Sequence, residues 1–156
     1  MSNSEASLAT AAAAADEFEN IADARDVDQL ERVCHPDLVN HSLAPSRTPG
    51  LEGTREYLRS PLAARFTVEA WRERRVITDG EYVVHHGIRT GHWPGGDFLG
   101  IAAPAGDYAR EVVFMYRVSD GKVAERWAIR DDLGFLRQLG TSLASSHPAP
   151  SLRGDA

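Results

Sequence analysis

The feature that most constrains this chain is a change of hydrophobic rhythm near Phe66. Before it, apolar residues recur at helical spacing; after it, apolar and polar residues alternate. The first pattern buries one stripe of a helix and the second buries one face of a strand, so the order of rhythms is also an order of elements. Leu8, Ala11, Ala12, Ala15, Phe18, Ile21 and Ala22 predict a first amphipathic helix with an acidic outer face. Asp26 is placed to cap a short second helix carrying Val27, Leu30 and Val33. His35-Pro36 ends it, because a residue before proline avoids the helical region. A third helix follows Pro49 and Gly50, with Leu51, Tyr57, Leu58 and Leu62 as its apolar positions.

Beyond Phe66, Asp79-Gly80 and Asp120-Gly121 each stand between stretches rich in Val, Ile, Tyr and Phe. Both residues of such a dipeptide tolerate positive φ, which a tight hairpin requires. Strands are predicted at 66–78, 82–92, 107–118 and 122–131. Helices first and an antiparallel meander afterwards imply an α+β fold, with the N-terminal helices packed on one face of a curved antiparallel sheet. The domain is read as 8–140, with 1–7 and 141–156 as flexible ends poor in periodic apolar residues.

A chain of 156 residues fits one domain with a real core. Its formal net charge of -6 carries no basic stripe, so neither nucleic acid nor an anionic membrane is an expected partner. The alanine run Ala11–Ala15 is followed at once by Asp16 and Glu17, unlike a secretory apolar segment, and a cytoplasmic location is expected. Cys34, the one cysteine, reads as a small hydrophobe on the second helix. His85 and His86 face opposite ways in a strand and no spacing resembles a metal-ligand set, so no metal and no cofactor are expected.

Strand parity then selects candidate pocket residues, on the rule that the apolar set faces the helices. On the last strand that set is Val123, Glu125, Trp127, Ile129 and Asp131; on the one before it, Val112, Phe114, Tyr116 and Val118. On 82–92, the set with His86 and His92 is taken as inward. A carboxyl at Asp131 among Trp127, Ile129, Phe114 and Tyr116 would be desolvated and poised for acid/base work. The alternative that Asp131 or Asp132 caps the segment Leu133–Leu139 remains open.

The run Tyr116-Arg117-Val118-Ser119-Asp120-Gly121-Lys122-Val123-Ala124-Glu125-Arg126-Trp127, followed by Asp131, Gly134 and Gln138-Leu139-Gly140, resembles the C-terminal signature of SnoaL-like polyketide cyclases, within the nuclear transport factor 2-like superfamily. Val39-Asn40-His41, and Gly91-His92 with Phe98, Gly100 and Gly106, resemble two further elements of that family. The stretch His92–Asp97 is longer than the family's, and Ala102–Ala105 replaces its proline-threonine turn. The resemblance implies a cone-shaped fold in a cofactor-free homodimer or higher homo-oligomer that acts on a small hydrophobic or polyketide-like substrate. The reaction it implies is an intramolecular aldol ring closure, with Asp131 as acid/base and His92 beside it. Trp127, Phe114, Tyr116, His86, Phe98, His41 and Asn40 are then the candidate substrate contacts. The alternatives are another tailoring reaction on the same fold, an epoxide hydrolase, isomerase or hydroxylase-like one, or non-catalytic binding of a small hydrophobe; epoxide opening calls for a carboxylate paired with an arginine and a second carboxylate, and no inward Asp-Arg-Asp set is legible.

Overall fold

The computed structural model describes residues 2–66 and 70–142. Helix α1 runs Asn3–Ala24, five residues earlier than its apolar stripe predicts. Ser2 and Glu5 explain the early start. Glu5 N–H donates to the Ser2 hydroxyl at 3.3 Å and Ser2 N–H to the Glu5 carboxylate at 2.7 Å, so two orphan donors are satisfied together. The helix ends on Arg25 in the left-handed region, φ 57. Its guanidinium donates to the carbonyls of Leu58, Ala63 and Phe66, which ties the following helices to the end of α1. After a 3₁₀ turn at Val27–Gln29 come α2 (Leu30–Val33), strand β1 (Cys34–Asn40), α3 (Gly50–Leu58) and α4 (Pro61–Arg65).

The remaining strands are β2 (Ala70–Thr78), β3 (Tyr82–Trp93), β4 (Gly96–Phe98), β5 (Ile101–Ala103), β6 (Gly106–Ser119) and β7 (Lys122–Arg130), and α5 (Asp132–Gln138) follows. The main sheet has the order β1-β7-β6-β3-β2, antiparallel except where β1 joins β7 in parallel. The first few residues of the predicted strand 66–78 include 67–69, outside the described residues, and most of the expected C-terminal tail lies outside them too. Both Asp-Gly turns form. Asp120 and Gly121 have φ of 50 and 72, and the Asp79 carboxylate accepts from the N–H groups of Glu81 and Tyr82.

Strand β1 corrects the sequence reading, which had Cys34 on a helix and Pro36 as a stop. Pro36 is tolerated because β1 is an edge strand with one neighbour. Cys34 opens it and is buried, and loss of solvent pushes its thiol up to about 12, so it carries no thiolate near neutrality. The hairpin β4-β5, in the stretch that departs from the family pattern, turns on Leu99 and Gly100, both at positive φ.

Two apolar clusters fill the cone. The larger joins Ala15, Phe18, Leu30, Val83, Val112 and Tyr116 from helices and sheet. The smaller, at the other end, joins Trp93, Phe98, Tyr108, Phe135 and Leu139, with Phe66 packed against it. Among the described residues no helix is long and apolar enough to cross a membrane.

Candidate active site

A cavity of about 120 Å³ lies between the helices and the inner face of the sheet. Its walls combine rings from Phe18, Tyr57, Phe66 and Phe114 with five arginines, Arg25, Arg89, Arg110, Arg126 and Arg130, and two carboxylates, Glu19 and Asp23. The expected hollow was apolar; the observed one is cationic.

Parity explains the difference. Between β6 and β7, Arg117 pairs with Glu125 but Val118 pairs with Val123, so Ala124 is an extra residue. A bulge of this kind turns the side chains of the bulged strand over to the opposite face. Val123 is inside before the bulge, and Arg126 and Arg130 line the cavity after it. Trp127 and Ile129 therefore face outward, with Ile129 69% exposed. The expected inward set of β3 is also reversed: Val83, His85 and Arg89 are buried, whereas His86 and His92 lie on the outer face. On β6 the expected inward set, Val112, Phe114, Tyr116 and Val118, is buried, and Arg110, not among the expected residues, is buried with it.

Asp131 is accordingly corrected from pocket base to helix cap. Its side chain is exposed and accepts from the Gly134 N–H at 2.7 Å at the start of α5. Gly134 is needed there, because a Cβ would stand 2.0 Å from the Asp131 carboxylate. Asp131→Asn, which retains a capping oxygen, should leave turnover and melting temperature unchanged, while Asp131→Ala should lose about 1 kcal/mol of stability and no turnover. Loss of turnover in Asp131→Asn with the melting temperature intact would return this residue to the chemistry.

The other sequence candidates divide. Phe114 and Asn40 line the cavity. The Asn40 amide is fixed by donating to Thr54 Oγ1 at 3.0 Å and accepting from Ser42 N–H at 3.1 Å. Tyr116 is buried and its hydroxyl donates to Glu19. Phe98 packs in the small aromatic cluster, against Trp93 and Phe135. His41 stacks on Trp127 outside the sheet at 4.5 Å and bonds Glu125, His86 bonds Glu111, and His92 bonds Asp107, all away from the cavity.

Glu19 is the residue that strand parity could not find. It is 6% exposed, with Tyr116 on one oxygen and Arg126 Nη2 3.9 Å away. Burial pushes its carboxyl up from 4.5 to about 7; Arg126, Arg89 and Arg130 oppose that shift and Asp23 reinforces it. The signal was present in α1. Glu19 stands one helical turn after Ala15 and two after Ala11, a charge placed on the apolar stripe instead of the outer face. At the cavity mouth Asp23 pairs with Arg89 at 2.6 Å. Glu19 near Arg126 and Asp23 on Arg89 set two carboxylates and two arginines in the cavity wall, an arrangement the sequence reading did not find. No cluster of three or more His, Cys, Asp or Glu side chains suited to a metal ion occurs among the described residues.

A buried carboxylate whose pKa is raised to about 7 beside guanidinium groups, in a cone of helices and curved sheet, has the chemistry to take up and release a proton. Residues 12–139 match the family described as SnoaL-like polyketide cyclase. The chain belongs to that family. This SnoaL-like chain is similar in structure to TsrD from Streptomyces laurentii, with TM-score 0.70 and 24% identity, covering 85% of this chain and 96% of that one. It is similar also to IdmH, a candidate polyketide cyclase from Streptomyces antibioticus, with TM-score 0.68 and 22% identity over 83% and 98% of the two chains. A candidate cyclase from Xanthomonas campestris gives TM-score 0.71 at 15% identity, over 85% and 98%. No curated protein matches this SnoaL-like sequence.

Proposed function

We propose that this protein closes a ring in a polyketide-like substrate by acid/base catalysis, with Glu19 as the proton-transferring group. The observation that carries the reading is the raised carboxyl of Glu19 in the wall of a cationic cavity. A base works best when its pKa lies near the working pH, and about 7 meets that condition. Ionised Glu19 removes a proton from a carbon flanked by carbonyls, and the negative charge passes to the enolate oxygen. Arg126 and Arg130 stabilise that charge from the cavity wall. The enolate carbon then attacks a second carbonyl of the same chain, a C–C bond forms as the C=O π bond opens, and the new alkoxide takes the proton back from Glu19. The Tyr116 hydroxyl holds the carboxyl in one orientation throughout.

A second reading, water activation for epoxide opening, is favoured by the Asp23-Arg89 pair one turn from Glu19. The expected homo-oligomer is favoured by the apolar side chains of Ile77 and Ile129 on the outer sheet face.

The test is deuterium exchange at the methylene of a β-keto ester, followed by proton NMR. The protein should accelerate exchange, with a rate that rises with pH and levels off above about 7, because the active form is the ionised carboxylate. The groups facing Glu19 are Tyr116, Asp23, Arg89, Arg126 and Arg130, and a bell at higher pH would not be expected from arginines. No acceleration, or a profile flat from pH 5 to 9, would overturn the reading. Hydration of a cyclic epoxide without exchange would select the second one.

A further inference from the structure

Not all the arginines of the cavity have the same company. Arg25 is held by three backbone carbonyls, Arg89 pairs with Asp23 and Arg110 pairs with Asp132 at 3.2 Å. Arg126 and Arg130 differ. The carboxyl nearest Arg126 is Glu19 at 3.9 Å, and Arg126 Nε is buried with no hydrogen-bond acceptor among the described residues. Arg130 forms no ion pair with a described carboxylate. Both guanidinium groups lie against the Phe114 ring, at 5.3 and 5.1 Å from its centroid. Buried cations are normally neutralised by an anion within the fold. Among the described residues the only carboxyl that serves them is Glu19, which is half protonated near neutrality.

We propose that the cavity selects a substrate bearing a carboxylate, its negative group seated against Arg126 and Arg130 and its flat body against Phe18 and Phe114. The inference rests on the ring-closing reading of this site and names the substrate class that the site takes. A single negative charge is the one that balances the pair when Glu19 is ionised, and a dianion would overfill it. The planar guanidinium matches a planar carboxylate through paired N–H groups, which a neutral ester oxygen cannot equal. The cavity, about 120 Å³, holds a small ring or one end of a longer acid. Phe18 and Phe114 supply ring faces, and Arg126 lies over both.

The test compares benzoate, methyl benzoate and inorganic phosphate, by calorimetric titration and by thermal melting of the intact protein. Benzoate should bind and raise the melting temperature, and methyl benzoate should bind about tenfold or more weakly. Phosphate should give no shift. Arg130→Gln should weaken benzoate by about thirtyfold or more and should itself melt higher than the unliganded wild type, since a half-buried cation with no close ion pair to a described carboxylate is removed. Arg130→Lys, which keeps the charge and loses the fork, should fall between them and serves if the glutamine variant does not fold. Glu19→Gln should retain benzoate binding. Methyl benzoate binding as tightly as benzoate, phosphate binding as tightly as benzoate, or undiminished benzoate affinity in the Arg130 variants would each overturn the proposal. Benzoate binding in a protein that exchanges no β-keto ester protons would sink the catalytic reading and leave this one standing. Exchange with a preference for the neutral ester would do the reverse.

Discussion

Glu19→Gln should lower the rate of proton transfer by about 10²–10⁴-fold, the usual contribution of a positioned acid/base group. The glutamine keeps the shape of the carboxyl and an oxygen for the Tyr116 hydroxyl, so the fold and ligand binding should survive. The same variant should also be more stable at high pH. In the folded protein Glu19 holds its proton up to about 7, whereas its ordinary value is 4.5. The folded state therefore binds more protons than the unfolded chain between those values, and stability falls as pH rises through that window. The full penalty, about 3 kcal/mol at one pKa unit per 1.36 kcal/mol, applies above about pH 7 and vanishes below 4.5. Glu19→Gln should escape it, gaining stability over wild type at pH 8 and none at pH 4.

His85 acts in the opposite sense. Burial, aided by Arg74, lowers its imidazole from 6.5 to about 4, so stability from keeping it neutral is lost as pH falls through that range. The two slopes offset each other in the wild type, and urea titrations of Glu19→Gln across pH 4–8 should uncover the His85 slope. Equal stability differences at both ends of the range would contradict the buried, protonated carboxyl.

Phe135→Ala should cost about 3–5 kcal/mol, the range for a large ring removed from a closed core. Phe135 is fully buried, and its ring lies 5.0 Å from Phe98, 5.1 Å from Tyr108, 5.6 Å from Phe66 and 5.7 Å from Trp93. These rings come from α5, the β4-β5 hairpin, β3, β6 and the end of α4, so this one side chain joins five separate pieces of chain. Phe66 also lines the cavity, and Arg110 lies 4.3 Å over it, so loss of Phe135 should loosen one wall of the site as well. Urea denaturation gives the stability, and a loss below about 1 kcal/mol would mean that the cluster repacks around the missing ring.

Local chemistry was legible in the sequence and the inner surface was not. The helical stripe of α1, the Asp120-Gly121 hairpin and the inward set of β6 each depend on neighbours within a few residues. Strand β1 depends on parallel pairing with β7, some ninety residues away, and its His35-Pro36 resembles a helix stop. The faces of β3 and β7 were misread for a physical reason: the rule that sends apolar side chains inward assumes an apolar interior. Arg89, Arg126 and Arg130 point into the cavity, and Trp127 and Ile129 take the outside, so the pattern inverts where the site is. The extra residue at Ala124, invisible in composition, completes the inversion and carries Asp131 away from the interior.

The central claim is that the Glu19 carboxyl, enclosed among arginines, exchanges its proton near neutrality. Carbon-13 NMR titration of the glutamate side-chain carboxyls, with Glu19→Gln to assign the signal, measures this directly. The account predicts a midpoint near 7 for Glu19. A midpoint near the ordinary 4.5 would contradict it.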